Sequence, residues 1–236
     1  MTIADLWDTF WRWTEVHRAG AYLFRGQAED VPIRPRIGRA EYGYALPKER
    51  QMFDAFRRAA RPFVQIMPGS EFEWLALAQH HGLPTRLADW STSPLVAAWF
   101  AVASFPLAGD AVIYGLDLLR DDVEPFDLST SRGVRSNNGF AGPLDIREHV
   151  YLIETPAVSS RITTQRGIFT LHGNPKIPLD IPENDRFISP QCLREHFQAR
   201  LLDLGIDASH IYPDLDGLCK ALDWRLRTGK PFSAIA

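Results

Sequence analysis

Pro94–Ala103 reads PLVAAWFAVA, a run without a single charged residue. As a helix it is apolar on every side, and such a helix must be buried on every side. The chain therefore has to build a layered structure around it, with sheet against one flank and further helices against another. With 236 residues, 45% of them hydrophobic, it has enough material for a sizeable core without disulfides or metal. The residues just before this helix, QHHGLPTRLADWSTS at 79–93, hold two histidines, an arginine, an aspartate, a tryptophan and several hydroxyls. Polar chemistry packed at the mouth of a fixed helix is a rigid place to mount a site.

Periodicity supplies the surrounding elements. Ile3–His17 predicts an amphipathic helix through Leu6, Phe10, Trp13 and Val16. Tyr22–Phe24 predicts a short strand ending at Arg25-Gly26-Gln27, and VPIRPRIGRAEYGYALP an extended loop rich in Pro and Gly. Lys48–Ile66 and Glu71–Gln79 predict helices, the second closed by Gly82 and Pro84. AVIYGLDL, EHVYLIET, GIFTLHG and DRFISP predict strands, Asp121–Leu144 a long loop, and Gln191–Leu204 and Asp214–Thr228 C-terminal helices. Strands and helices mix without strict alternation. The fold class is α+β with a largely antiparallel sheet and flanking helices. Residues 1–20 are expected to form an N-terminal helix and 21–236 one domain.

Charge and cysteine content narrow the function classes. A net charge of −3 argues against a protein that coats polyphosphate, while leaving room for a local basic groove. Cys192 and Cys219 form no CxxC pair, which favours a reducing, cytoplasmic setting with two partly buried thiols. The N-terminal stretch lacks the pattern of a secretory signal, and no run approaches a membrane span of about 20 apolar residues. No membrane partner is expected.

Three groups of residues carry candidate chemistry. Arg25, at the end of its strand, offers a planar fork for phosphate, with Gly26 and Gln27 beside it; the alternative is an arginine paired to an internal carboxylate such as Asp89. Thr85, Arg86, Asp89, Trp90, Ser91, Thr92 and Ser93 precede the buried helix. Their hydroxyls either cap that helix or hold an anion or ribose. Arg161, Gln165, Gly167 and Phe169 lead into a late strand, where a plain turn explains them equally. His80 and His81 are adjacent, so they point about 100° apart on a helix and cannot chelate one metal as an i, i+4 pair would. No metal is expected. Asp214 and Asp216 read as first-turn charges of the last helix.

Together, LFRGQ, LALAQHHGLPTRLADWSTSPLVAAWFA, SSRITTQRGIFTLH and YPDLDGL resemble the FRG domain family, named for its Phe-Arg-Gly motif, from about Tyr22 to Leu222. A weaker likeness is to ADP-ribosyltransferases of the Arg–Ser–Glu type. That likeness implies an ADP-ribosyltransferase-like fold with NAD as substrate. Arg25 would lie on the phosphates and Ser91 at the nicotinamide ribose, with Thr92 and Ser93 completing the motif. Trp90 or Phe100 would wall the nicotinamide, and Gln165 would contact the ribose. The usual glutamate is missing; an amide at Gln165 cannot offer the negative charge that steadies a ribosyl cation. Asp89, Glu148 or Glu154 would have to serve instead. The expected activity is NAD-dependent modification of a protein or nucleic acid, as a toxin or anti-phage defence effector. Two rivals stay open: a non-catalytic nucleotide-sensing module, and a nuclease or hydrolase with His80 or His81 as base and Arg25 and Arg86 on phosphate.

Overall fold

In the computed structural model, Thr2 opens the first helix, α1 (Ile3–Val16), with a capping box: its hydroxyl accepts from the Asp5 amide, and Asp5 accepts from the Thr2 amide. The structure describes residues 2–18, 20–103, 109–126, 142–154 and 167–232. The strands are β1 (Tyr22–Gln27), β2 (Leu87–Ser91), β3 (Ala111–Asp117), β4 (Val123–Phe126), β5 (Val150–Ile153), β6 (Gly167–His172) and β7 (Arg186–Ser189). The remaining helices are α2 (Leu46–Ala59), α3 (Glu71–His80), α4 (Pro94–Val102), α5 (Arg194–Asp203), α6 (Ala208–Ile211) and α7 (Leu215–Thr228).

The strands form one sheet in the order β4-β5-β6-β2-β1-β3-β7, antiparallel except for the parallel pair β4–β5. The mixed α+β class and the largely antiparallel sheet are as the sequence predicts. Two apolar cores lie under the helices. One joins Leu6, Trp7 and Phe10 of α1 to Phe24, Phe187, Phe197 and the alanine-rich α4. The other joins Phe53, Phe72 and Leu75 to Leu87, Phe169 and Leu171. The opposite face of the sheet buries Leu23, Trp90, Tyr114 and Leu116 beneath coil anchored by Ile33, Leu179 and Ile181. The amphipathic N-terminal helix is thus built into the same core as the sheet.

One joint in the sheet is short. β1 pairs with β3 through six register positions, and β2 with β6 through five, but β1 meets β2 at a single pair, Phe24↔Ser91. The two inner strands part at this point.

Several expectations need correction. The helix predicted over Lys48–Ile66 ends at Ala59, and Arg61–Phe63 forms only a 3-10 turn. Pro62 has no amide to continue the ladder, and Phe63 and Ile66 are exposed. The predicted loop over Asp121–Leu144 contains β4, which is short, lies at the sheet edge and carries Pro125, the kind of strand that pattern reading misses. Residues 127–141 of that loop lie outside the described residues. Val16 is exposed rather than on the buried face, and both cysteines are exposed rather than partly buried. No helix among the described residues is long and apolar enough to cross a membrane.

Candidate functional site

The short β1–β2 joint leaves a backbone carbonyl of β2 for a side chain to take. Arg25 Nη1 donates to the Asp89 carbonyl at 2.7 Å and lies 3.7 Å from the Asp89 carboxylate. Asp89 is itself steered from α3. Gln79 Nε2 donates to both carboxylate oxygens, at 3.1 and 3.2 Å, and the Thr85 hydroxyl donates to Gln79 Oε1 at 2.6 Å. The relay Thr85–Gln79–Asp89–Arg25 therefore runs through the polar stretch that precedes α4. Arg25 does hold two strands together, the internal-carboxylate alternative. It also keeps 16% of its side chain open to solvent. Burial lowers its pKa and the Arg39 charge adds to that, while Asp89 opposes both.

A cleft of about 520 Å³ opens at this end of β1. Arg25, Gly26 and Gln27 form one wall; Arg34 and Arg39, from the coil after β1, form another. Gln27 Nε2 donates to the Val31 carbonyl at 2.8 Å, and the Tyr114 hydroxyl, its pKa pushed up to about 12 chiefly by burial, donates to Asp30. These bonds fix the turn between the two walls.

The other predicted residues fall elsewhere. Gly26 does not hold the backbone open for a ligand. A Cβ there would instead sit 1.9 Å from the Ala97 carbonyl, so the missing side chain serves the packing of α4 on the sheet. Arg86 is sealed, and all five of its donors are engaged: two to Glu49 at 2.6 and 2.9 Å, two to the Pro143 and Ile146 carbonyls, and one to the Tyr44 hydroxyl. It has none left for a phosphate. Trp90 is buried and donates to the Thr170 hydroxyl at 2.9 Å, so neither face can receive a nicotinamide. Phe100 packs against Trp99 and Tyr212, within the α4–α6 core. Ser91 accepts from the Ser93 amide, and Ser93 caps α4 by accepting from Val96. Thr92 is half-buried between them. Ser91 pairs with Phe24, one residue from Arg25, yet none of Ser91, Thr92 and Ser93 lines the cleft.

Gln165 and Arg161 lie outside the described residues. Gly167 begins β6 opposite Ser91, and Phe169 is core. His81 ends α3, with its ring edge against His80. Asp214 caps α7 by accepting from the Gly217 amide. Among the described residues, no group of three His, Cys, Asp or Glu gathers as metal ligands would.

Behind Trp90 lies a buried histidine that the sequence reading passed over. His172 Nε2 is 3.1 Å from the Thr170 hydroxyl, and its Nδ1 has no partner. Burial, with the Arg25 and Arg86 charges, pushes its pKa down to about 3 from 6.5. Below pH 6.5 the unfolded chain gains a proton that the folded imidazole refuses. Its contribution to stability is thus complete above pH 6.5 and is lost as the pH falls toward 3, at up to about 1.4 kcal/mol per unit. Urea titrations at pH 6.5 and pH 4.5 should show a smaller loss in His172→Gln than in the wild type. Equal losses would mean that the imidazole is not held neutral.

Arg34 and Arg39 were also missed, because the segment reads as a Pro/Gly loop. The usable signal is its alternation: Ile33, Pro35, Ile37 and Gly38 are buried, and the arginines are spaced between and after them.

Fold and site together define an α+β protein with, among the described residues, one seven-stranded mixed sheet and a cationic cleft at the β1 end. Residues 20–106 match the model of the FRG domain, a span that includes Arg25, Arg34, Arg39, Asp89 and the Ser-Thr-Ser stretch. The FRG resemblance read from the motifs holds over that span. No curated protein and no solved structure matches the chain.

Proposed function

We propose that this chain binds a phosphorylated nucleotide of the NAD type, with its phosphates on Arg25. The observation that carries the reading is Arg25 itself: a partly open guanidinium, oriented by Asp89, at the edge of a cleft of about 520 Å³. Rigid, bidentate donors of this kind suit phosphate oxygens. The fit is to the phosphate end. The nicotinamide wall once expected from Trp90 is not available, because its ring is enclosed.

ADP-ribosyl transfer on an ADP-ribosyltransferase-like fold is the second reading, favoured by one observation. Asp89 presents a carboxylate that is 58% exposed, beside Arg25 and fixed by Gln79. Ionised, it carries the charge that steadies a ribosyl cation. On this reading the acceptor is a protein or nucleic acid, and the FRG likeness extends through the rest of the chain. Without transfer, the same cleft serves a sensing module.

Calorimetry with NAD tests the first reading. Wild type should bind, and Arg25→Ala should bind at least tenfold more weakly, the loss of one charge-assisted contact. Equal binding by the two proteins would remove it. Nicotinamide release separates the readings: turnover that falls in Asp89→Asn supports transfer, and background release with intact binding supports sensing.

A further inference from the structure

We infer that Arg34 and Arg39 form a second anion subsite in the Arg25 cleft, one that takes a phosphoryl group separate from those on Arg25. The ligand class it selects is a dinucleotide carrying an extra phosphomonoester, as on a ribose 2′-hydroxyl. This inference rests on the nucleotide reading above and narrows it.

The first observation is electrostatic. The side chains of Arg34 and Arg39 make no hydrogen bond or ion pair among the described residues, and the Arg34 Nε is buried without a partner. Buried donors are nearly always satisfied, and an orphaned one on a guanidinium is costly. Arg39, which is exposed and has no counter-charge, shares a cleft with Arg34 and Arg25 and is close enough to depress the pKa of Arg25. Glu29 and Glu41 also line the cleft, but neither is in ion-pair contact with the arginines. An incoming phosphoryl group supplies the missing counter-charge.

The second observation is mechanical. The coil that bears these arginines is tied down on both sides of Arg34 and immediately before Arg39. Ile33 bridges to Leu179, and the Ile37 amide donates to the Thr85 carbonyl. Gly38 lies so close to the Pro175 carbonyl that a Cβ would sit 1.7 Å from it. Arg36, between the two, is spent on structure: it donates to the Tyr42 hydroxyl and the Gly82 carbonyl. Arg34 and Arg39 therefore project from a fixed frame. The backbone beneath them needs no ordering when an anion arrives. Arg25 is already partly committed to Asp89, so the free pair forms its own site and does not duplicate that contact. Arginine placed at a ribose edge is a recurrent way to accept a 2′-phosphate.

Calorimetry with NAD and NADP on the full chain tests this, in wild type, Arg25→Ala and the double variant R34Q/R39Q. Because neither arginine has a partner to lose, the double variant should keep the wild-type thermal midpoint. Wild type should bind NADP at least tenfold more tightly than NAD, and the ratio should fall to about one in R34Q/R39Q with NAD affinity little changed. Equal affinities in wild type would overturn the subsite while leaving the nucleotide reading standing. So would a preference that survives in R34Q/R39Q. If NADP binding needs Arg34 and Arg39 but is untouched in Arg25→Ala, the subsite holds and the Arg25 assignment fails. Binding of neither dinucleotide would overturn both.

Discussion

Arg86→Leu should lower the stability of this protein by about 3–5 kcal/mol in urea unfolding, because it strands a buried carboxylate. The Arg86 and Glu49 side chains are 0% and 1% exposed, and the pair is bidentate. Removing the guanidinium leaves Glu49 without a counter-charge and withdraws two donors from the Pro143 and Ile146 carbonyls. The pair ties α2 to β2 and to the segment before β5, so the loss falls on the core beneath both. Leucine at both positions should recover much of the deficit, since no charge is then stranded. Arg50→Ala is the control: it breaks an exposed contact with Asp145 and should change stability by no more than about 1 kcal/mol. A loss below about 1 kcal/mol in Arg86→Leu would show that the pair is reached by water. Arg86 would then be available to a ligand after all.

Gly26→Ala should also be strongly destabilising. The added carbon would lie 1.9 Å from the Ala97 carbonyl and 2.5 Å from the Ala101 amide, both helix backbone. No rotamer can relieve a clash between Cβ and backbone, so α4 must move off the sheet. Overpacking of this kind removes about 1–3 kcal/mol and occasionally more, and the upper end applies where both sides are backbone. The shift would carry the core alanines of α4 with it. Thermal unfolding of Gly26→Ala gives the measure. A variant that keeps its wild-type midpoint and loses only NAD binding would put Gly26 on the ligand side of the strand.

These two residues also show what was legible in the chain. The Phe-Arg-Gly motif marked β1, and the apolar run at 94–103 marked a helix buried on every side. What Gly26 faces did not follow, because a glycine that admits a ligand and one that admits a helix look alike in one dimension. Arg86 was misjudged for the same reason. Its partner Glu49 is far along the chain, in a helix whose period shows an apolar stripe but not the buried acid within it. Asp89 was readable as the partner of Arg25 because a strand arginine with a charge to satisfy needs a carboxylate, and Asp89 lies on the next predicted extended segment. The cationic wall was hidden by its Pro/Gly context. Only the buried alternation of Ile33, Pro35 and Ile37 tells a braced coil from a slack one, and that burial depends on Leu179 and Thr85, which no local pattern brings near.

The single register pair between β1 and β2 has a consequence for how the molecule opens. On one side of that seam lie β4, β5, β6 and β2 with the α2–α3 core; on the other lie β1, β3 and β7 with the α1–α4–α5 core. Amide protection should therefore partition into two blocks of unequal exchange rate, divided at Ser91, with Trp90 and Leu23 as the apolar bolt across the gap.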